Sequence, residues 1–304
     1  HVTSLKASAL KVQPLSNSAF QHSARSIAVL CHELSGGGRA LKIAGSISHL
    51  LAEQKVAHEV FINQWPPDFS SFTDIFLAGG DGSINYYLNH YDFKALPLTI
   101  FNGGTGNDFH ALLYGRQSIA ALVDMGLNAA PRAYDVGVCN ERYFINGIGI
   151  GFEGAIAKAL SNTKKWPGKL SYMATILSQI LHYQTKKYTI DVGGNIVNST
   201  HLMIDICNGA RAGGGFRVAP LANASDGWLD LIEVAAISPL RRLRYLPVIE
   251  RGKHLSLSFV KHTLIQSVRI SSDEPIQYHM DGEYAEASQL EIKILPGVLP
   301  IRCP

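Results

Sequence analysis

Asp74-Ile75-Phe76-Leu77-Ala78-Gly79-Gly80-Asp81-Gly82-Ser83-Ile84-Asn85 is the stretch whose reading decides the fold. An apolar run entering a glycine turn reads as a buried strand, with a helix from about Ile84. Glycine at 79, 80 and 82 lets the backbone turn sharply and bare its N–H groups, and the helix start adds positive dipole, a combination that holds phosphate. A carboxylate beside a polyphosphate would be repelled unless a divalent cation lay between them. Asp81 therefore points to magnesium, directly or through water. The alternative is a tight strand-to-helix turn with Asp81 as its cap.

The same design recurs on both sides. Ser26–Cys31 reads as a strand, followed by the turn Ser35-Gly36-Gly37-Gly38 and an apolar-periodic helix from Arg39 to Glu53. A second strand, His58 to Asn63, precedes the Pro66-Pro67 break. Leu98–Phe101 enters Gly103-Gly104-Thr105-Gly106-Asn107-Asp108, with helix beyond. Strands alternating with helices predict a parallel sheet whose ligand crevice lies at the carboxyl ends of its strands, where all three glycine turns sit. No GxxxxGK[ST] occurs, which excludes a P-loop enzyme.

Past Pro131 the texture changes. A hairpin is expected around Asn140-Glu141, strands from Tyr188 onward, and helices near 169–183 and 239–253. The expected organisation is an N-terminal arm (1–23), an α/β nucleotide-binding domain (24–131, with the tail 298–304), and a β-rich, sandwich-like domain (132–297). Gly149-Ile150-Gly151-Phe152-Glu153-Gly154 matches the dinucleotide fingerprint formally. It lacks the acidic residue some twenty positions on, since no Asp or Glu lies between Glu153 and Asp191.

The 304 residues suffice for two cores, and a net charge of +3 is too slight for a nucleic-acid footprint. Cys31, Cys139, Cys207 and Cys303 are widely spaced, and the twelve histidines show no metal-ligand pattern. No run approaches about 18 apolar residues, so a cytoplasmic protein with at most peripheral membrane contact is expected.

These motifs, with Asn208-Gly209, Gly213-Gly214-Gly215-Phe216, Ala219-Pro220-Leu221-Ala222, Asp226-Gly227-Trp228-Leu229-Asp230 and Asp281-Gly282-Glu283, resemble the diacylglycerol kinase catalytic-domain family. That family includes bacterial diacylglycerol and YegS-like lipid kinases. The resemblance runs from about Ser26 to the end and implies an NAD-kinase/diacylglycerol-kinase-like fold, ATP as phosphoryl donor and a lipid hydroxyl as acceptor. It implies ATP contacts at Ser35, Gly36, Asn63, Gly79 through Asn85 (Gly80, Asp81, Gly82, Ser83 and Ile84 between them), Gly104, Thr105 and Asn107. Asp281 or Glu283 would accept the hydroxyl proton, alongside Asp81, and Asn223, Asp226 and Trp228 would hold a structural Mg2+. The first turn departs from the family's Asn-Pro-x-Ser-Gly, reading His32-Glu33-Leu34-Ser35-Gly36.

On residue chemistry alone, Leu170–Leu181 is an apolar helix flanked by Lys164, Lys165, Lys169, Lys186 and Lys187, which suits anionic headgroups or equally a core helix with solvated ends. Arg241, Arg242, Arg244, Arg251 and Lys253 read as a solvated helix face. The expected function is ATP- and Mg2+-dependent phosphorylation of a diacylglycerol-like lipid at a membrane surface. The alternatives are an NAD-kinase-like or sugar-kinase-like phosphotransferase, or a non-catalytic nucleotide- or lipid-binding protein on this scaffold. The oligomeric state is left open, a homodimer included.

Overall fold

The computed structural model describes residues 25–162, 169–212 and 215–304, without the side chains of 162 and 169–173. The N-terminal arm, Gly213-Gly214, Lys164 and Lys165 lie outside the described residues.

Four apolar segments form the parallel strands: β1 (Ser26–Cys31), β2 (Ala57–Ile62), β3 (Asp74–Gly79) and β4 (Leu98–Asn102), ordered β4-β3-β1-β2. Helices α1 (Arg39–Glu53), α2 (Asp81–His90), α3 (Asp108–Tyr114) and α4 (Ile119–Asn128) cover them. β3 is buried along its whole length, as a strand covered on both faces must be. The α1 limits coincide with the expected ones. α2 starts at Asp81 rather than Ile84, because Gly80 is already its extended N-cap and Gly82 and Ser83 form its first turn.

The second region is antiparallel and β-rich. β5 (Pro131–Cys139) and β6 (Arg142–Phe144) form the hairpin whose turn, Asn140-Glu141, is left-handed at both positions. β7 (Gly147–Gly151) pairs with β9 (Asn195–Cys207) and with the end of β12 (Ser267–Met280), while β8 (Lys186–Val192) pairs with the other halves of those same two strands. The four close into a ring around Ile148, Ile150, Tyr188, Ile190, Ile204, Ile206, Ile270 and Met280. β10 (Leu229–Ala235) and β11 (Val260–Ile265) extend the sheet beyond β9.

β13 (Glu283–Arg302) pairs with β12 and β5, then brings Ile301 beside Leu98 of β4, joining the two regions into one sheet. Its register shifts between Leu295 and Leu299, where Pro296 cannot donate and Gly297 turns left-handed. At the far end Arg302 pairs with the buried Asp74, which also holds Arg25.

Helices α5 (Phe152–Asn162), α6 (Lys169–His182) and α7 (Pro239–Glu250) pack on this region. Ile176 and Ile180 of α6 enter the core, whereas Leu177 and Leu181 remain exposed, so this helix is both a core element and an apolar surface. Arg242 is not on a solvated face as expected. It is buried, donating to the carbonyls of Ile180, Tyr183 and Ile237, and so satisfies the open C-terminal end of α6. Among the described residues no helix is long and apolar enough to cross a membrane.

Candidate active site

The three glycine turns touch. A Cβ on Gly36 would lie 2.2 Å from the Gly103 carbonyl oxygen, and one on Gly104 would lie 2.3 Å from the Gly80 Cα. Only glycine permits these approaches, and Gly36 also requires it because its φ is +58°. Arg39 at the start of α1 donates to the Gly104 carbonyl, and the Asn107 side chain closes the second turn by bonding both N and O of Gly104.

Asp81 is more engaged than the phosphate argument supposed. Its Oδ2 accepts from the Asp108 N–H at 2.9 Å and its Oδ1 from the Phe109 N–H at 3.0 Å. The carboxylate thus straps the first turn of α2 to the start of α3, and that helix start offsets part of its charge.

These turns form one wall of a cleft of about 760 Å³. Of the positions singled out above, Ser35, Gly36, Asn63, Gly80, Asp81, Gly82, Ser83, Gly104, Thr105, Asp281 and Glu283 line it. Gly79, Ile84, Asn85 and Asn107 do not. Ile84, Asn85 and Asn107 are buried behind the wall, and a Cβ on Gly79 would strike the Ser83 hydroxyl at 2.4 Å. Asn63 is left-handed, with its amide oxygen accepting from the Glu33 N–H, so it holds the departed first turn in place. Trp65 and Tyr86, edge to face at 5.4 Å, add an aromatic end to the cleft.

The opposite wall is the turn between β12 and β13. Asp281 Oδ2 accepts from Asn85 Nδ2 (3.0 Å) and the Ile145 N–H (2.8 Å), while Oδ1 accepts from the N–H groups of Asn146 (2.8 Å) and Gly147 (3.1 Å). Burial pushes its carboxyl up, and the four donors draw it down. Glu283 is exposed, with Arg142 at 3.2 Å.

A second cleft, about 790 Å³, opens on the far side of this turn. Phe152, Ile156, Ala157, Leu160, Ile176, Met203, Phe216, Leu246 and Ile249 make it predominantly apolar. Ala212, His279, Gly282 and Glu283 line both clefts, so the two meet there.

A model of the diacylglycerol kinase catalytic domain matches residues 26–139, and a model of the YegS C-terminal NAD kinase beta sandwich-like domain matches 146–303, just over half of the chain. The chain belongs to the diacylglycerol kinase family. Relatives include a diacylglycerol kinase of Mycobacterium tuberculosis, 26% identical over 302 residues that cover 93% of this chain and 97% of the relative. Another is a diacylglycerol kinase of Bacillus subtilis, 28% identical over 217 residues, covering 70% and 72%. A Bacillus anthracis crystal structure superposes with a TM-score of 0.76 at 22% identity over 96% of this chain and 99% of that one, which shows the shared fold.

For this diacylglycerol kinase family member, the loop with Asn223, Asp226 and Trp228 lies away from both clefts. Asn223 Oδ1 caps Ser225, and Asp226 Oδ1 accepts from the Trp228 N–H. Beneath it Asp135 is buried and accepts from the N–H groups of Gly227 and Gly297, both at 2.7 Å. Burial, aided by the Asp226 charge, raises the Asp135 carboxyl. Two neighbouring carboxylates, Asp135 and Asp226, are the oxygen chemistry that a hard cation takes, although among the described residues no third acid, histidine or cysteine joins them. Sequence reasoning missed Asp135, although an acid followed by the run Val136-Gly137-Val138-Cys139 is itself a signal.

Gly149–Gly154 does fall at a strand-to-helix turn, but packing explains its glycines. A Cβ on Gly154 would lie 2.2 Å from the Gln277 carbonyl oxygen, and one on Gly149 the same distance from Glu153 Oε2.

Proposed function

We propose that this lipid-kinase family member transfers the γ-phosphoryl group of ATP to the hydroxyl of a diacylglycerol-like lipid, with Mg2+ neutralising the phosphates. The observation that carries this reading is the meeting of a polar, glycine-walled cleft with an apolar one at a single turn, Asp281-Gly282-Glu283. A donor with several charges needs the first and acyl chains need the second, and phosphoryl transfer requires the two reacting groups to be aligned where they meet.

The backbone of Gly80, Gly82 and Gly104 would cradle the phosphates, with Thr105 and Ser83 offering hydroxyls, and Trp65 and Tyr86 would flank the base. Asp81 and the phosphates would share Mg2+. Asn223, Asp226 and Trp228 would hold a structural Mg2+, whose charge would offset the carboxylates of Asp226 and Asp135. Asp281 holds the chain around Asn146 and Gly147 against the cleft, and Glu283 orients the acceptor at the junction.

Ala157→Phe fills part of the apolar cleft and touches nothing in the polar one. With a total lipid extract as acceptor, its lipid KM is expected to rise about tenfold or more while Mg-ATP affinity by calorimetry stays within about twofold of wild type. Unchanged lipid kinetics would place the acyl chains elsewhere.

A further inference from the structure

Helices α6 and α7 each keep a side that no other described element covers. Along α7, Leu240, Leu243, Arg244 and Pro247, with Arg251 just past its end, recur at i, i+3, i+4, i+7 and i+11, which is one face of a helix, and all five are exposed. Arg242, Tyr245, Leu246 and Ile249 turn the other way, into the body of the protein. Along α6 the pattern repeats. Ala174, Leu177, Ser178 and Leu181 are exposed at i, i+3, i+4 and i+7, while Ile176 and Ile180 are buried.

The two helices lie side by side and run antiparallel. Arg242, in the first turn of α7, donates to the carbonyls of Ile180 and Tyr183 at the C-terminal end of α6, and Ile176, a turn earlier, shares the apolar cleft with Leu246, a turn later. Their exposed leucines therefore border that cleft. Leu177 follows Ile176, and Leu243 stands one turn before Leu246. Leu177, Leu181, Leu240 and Leu243 are 41%, 58%, 79% and 46% exposed. Exposed leucines scattered singly are ordinary, but four on adjacent helices beside an apolar cleft mark a surface that meets a partner.

Charge decides which partner. Glu250 is the one acid in the two helices, and Arg241, Arg244 and Arg251 are exposed around the α7 leucines. Leucines ringed by arginines suit the boundary of an anionic bilayer, where the leucines enter the acyl region and the guanidiniums meet lipid phosphate. A second copy of this chain seated on the same face would set arginine against arginine across the two-fold axis.

We propose that the outward face of α6 and α7 is a membrane-docking surface, which seats the protein on an anionic bilayer beside the mouth of the apolar cleft. The inference rests on the lipid-kinase reading, since the cleft is what the surface serves, and deepens it. Acyl chains drawn through water lose hydrophobic free energy with every methylene. An acceptor that rises along Leu177 and Leu243 passes from bilayer to cleft on apolar side chains throughout.

The test uses the whole chain with vesicles of phosphatidylcholine, with and without phosphatidylglycerol, read by cosedimentation in the absence of ATP. Wild type is expected to bind the anionic vesicles about tenfold or more tighter and to lose that margin at high salt. Leu240→Glu/Leu243→Glu should weaken binding to both vesicles at least about tenfold, and Arg244→Gln/Arg251→Gln should weaken binding about tenfold on the anionic vesicles alone. All four residues are exposed, so thermal unfolding should be unchanged. Turnover of a short-chain diacylglycerol dissolved in water should stay within about twofold of wild type, whereas turnover of vesicle-borne dioleoylglycerol falls with binding. Leu240→Trp reads a gain instead of a loss. It should bind vesicles more tightly, with an emission difference from wild type that shifts to the blue when they are added.

The docking surface is overturned by a wild type that sediments with neither vesicle, by L240E/L243E binding within about threefold of wild type, or by an L240W emission difference that bound vesicles leave unshifted. It is overturned too if L240E/L243E turns a dimer into a monomer and keeps its vesicle affinity, because the face then joins two copies. Binding through this face with no lipid phosphorylated supports the surface and sinks the lipid-kinase reading.

Discussion

Asp281→Asn is expected to lower kcat by about 10³ and to destabilise the protein by about 3 kcal/mol, measured by lipid phosphorylation and by denaturant unfolding. Asparagine tolerates the left-handed backbone at this position, where φ is +49°, so the change isolates the carboxylate. Whichever way the amide faces, its NH2 opposes two donors, either Asn85 with Ile145 or Asn146 with Gly147. Each buried donor left unpaired costs about 1–3 kcal/mol. Asn146 and Gly147 line the polar cleft, so their displacement spoils the junction as well as the fold. Glu283→Gln loses only one exposed ion pair, and its stability should change by less than about 0.5 kcal/mol. A D281N protein as stable and active as wild type would remove the turn from the centre of this account.

Gly104→Ala should abolish measurable nucleotide binding, a loss of at least about 100-fold, and lower stability by about 1–3 kcal/mol. The added methyl would stand 2.3 Å from Gly80 Cα and 2.7 Å from Gly80 N, both backbone atoms that move only if two turns separate. Gly82→Ala is the contrast. A Cβ there meets nothing within 4 Å, and the residue lies in α2, so the fold should be unharmed or slightly firmer. Calorimetry with Mg-ATP and thermal unfolding separate the two. Equal behaviour of both variants would contradict the close apposition of the turns.

The parallel half was legible because each of its units is local. A buried strand, a glycine turn and a helix follow one another within about thirty residues, and each turn falls at a strand's carboxyl end. What escaped notice there was tertiary. Asp81 reads as a phosphate-side carboxylate or a cap of its own helix, and nothing in its spacing says that it straps α3, 27 residues away.

In the second half the long strands β9, β12 and β13 each pair with three others, and local pattern does not reveal where a strand changes partner. Pro296 and Pro300 would argue against strand, yet the shift at Gly297 accommodates the first. Asp281-Gly282 reads as a hairpin turn, which it is. Its role at the cleft follows from amides more than a hundred residues away. The Glu153–His279 hydrogen bond spans 126 positions, a separation that local pattern does not reveal.

The central claim, that polar and apolar clefts meet to phosphorylate a lipid, is tested most directly by incubating the protein with total lipid extract, labelled ATP and Mg2+ and identifying the product by mass. The account predicts one glycerolipid class bearing a new phosphate, formed only with Mg2+ present. Phosphate appearing on NAD or a soluble sugar instead, or ATP bound with no phosphorylated lipid from any extract, would contradict it.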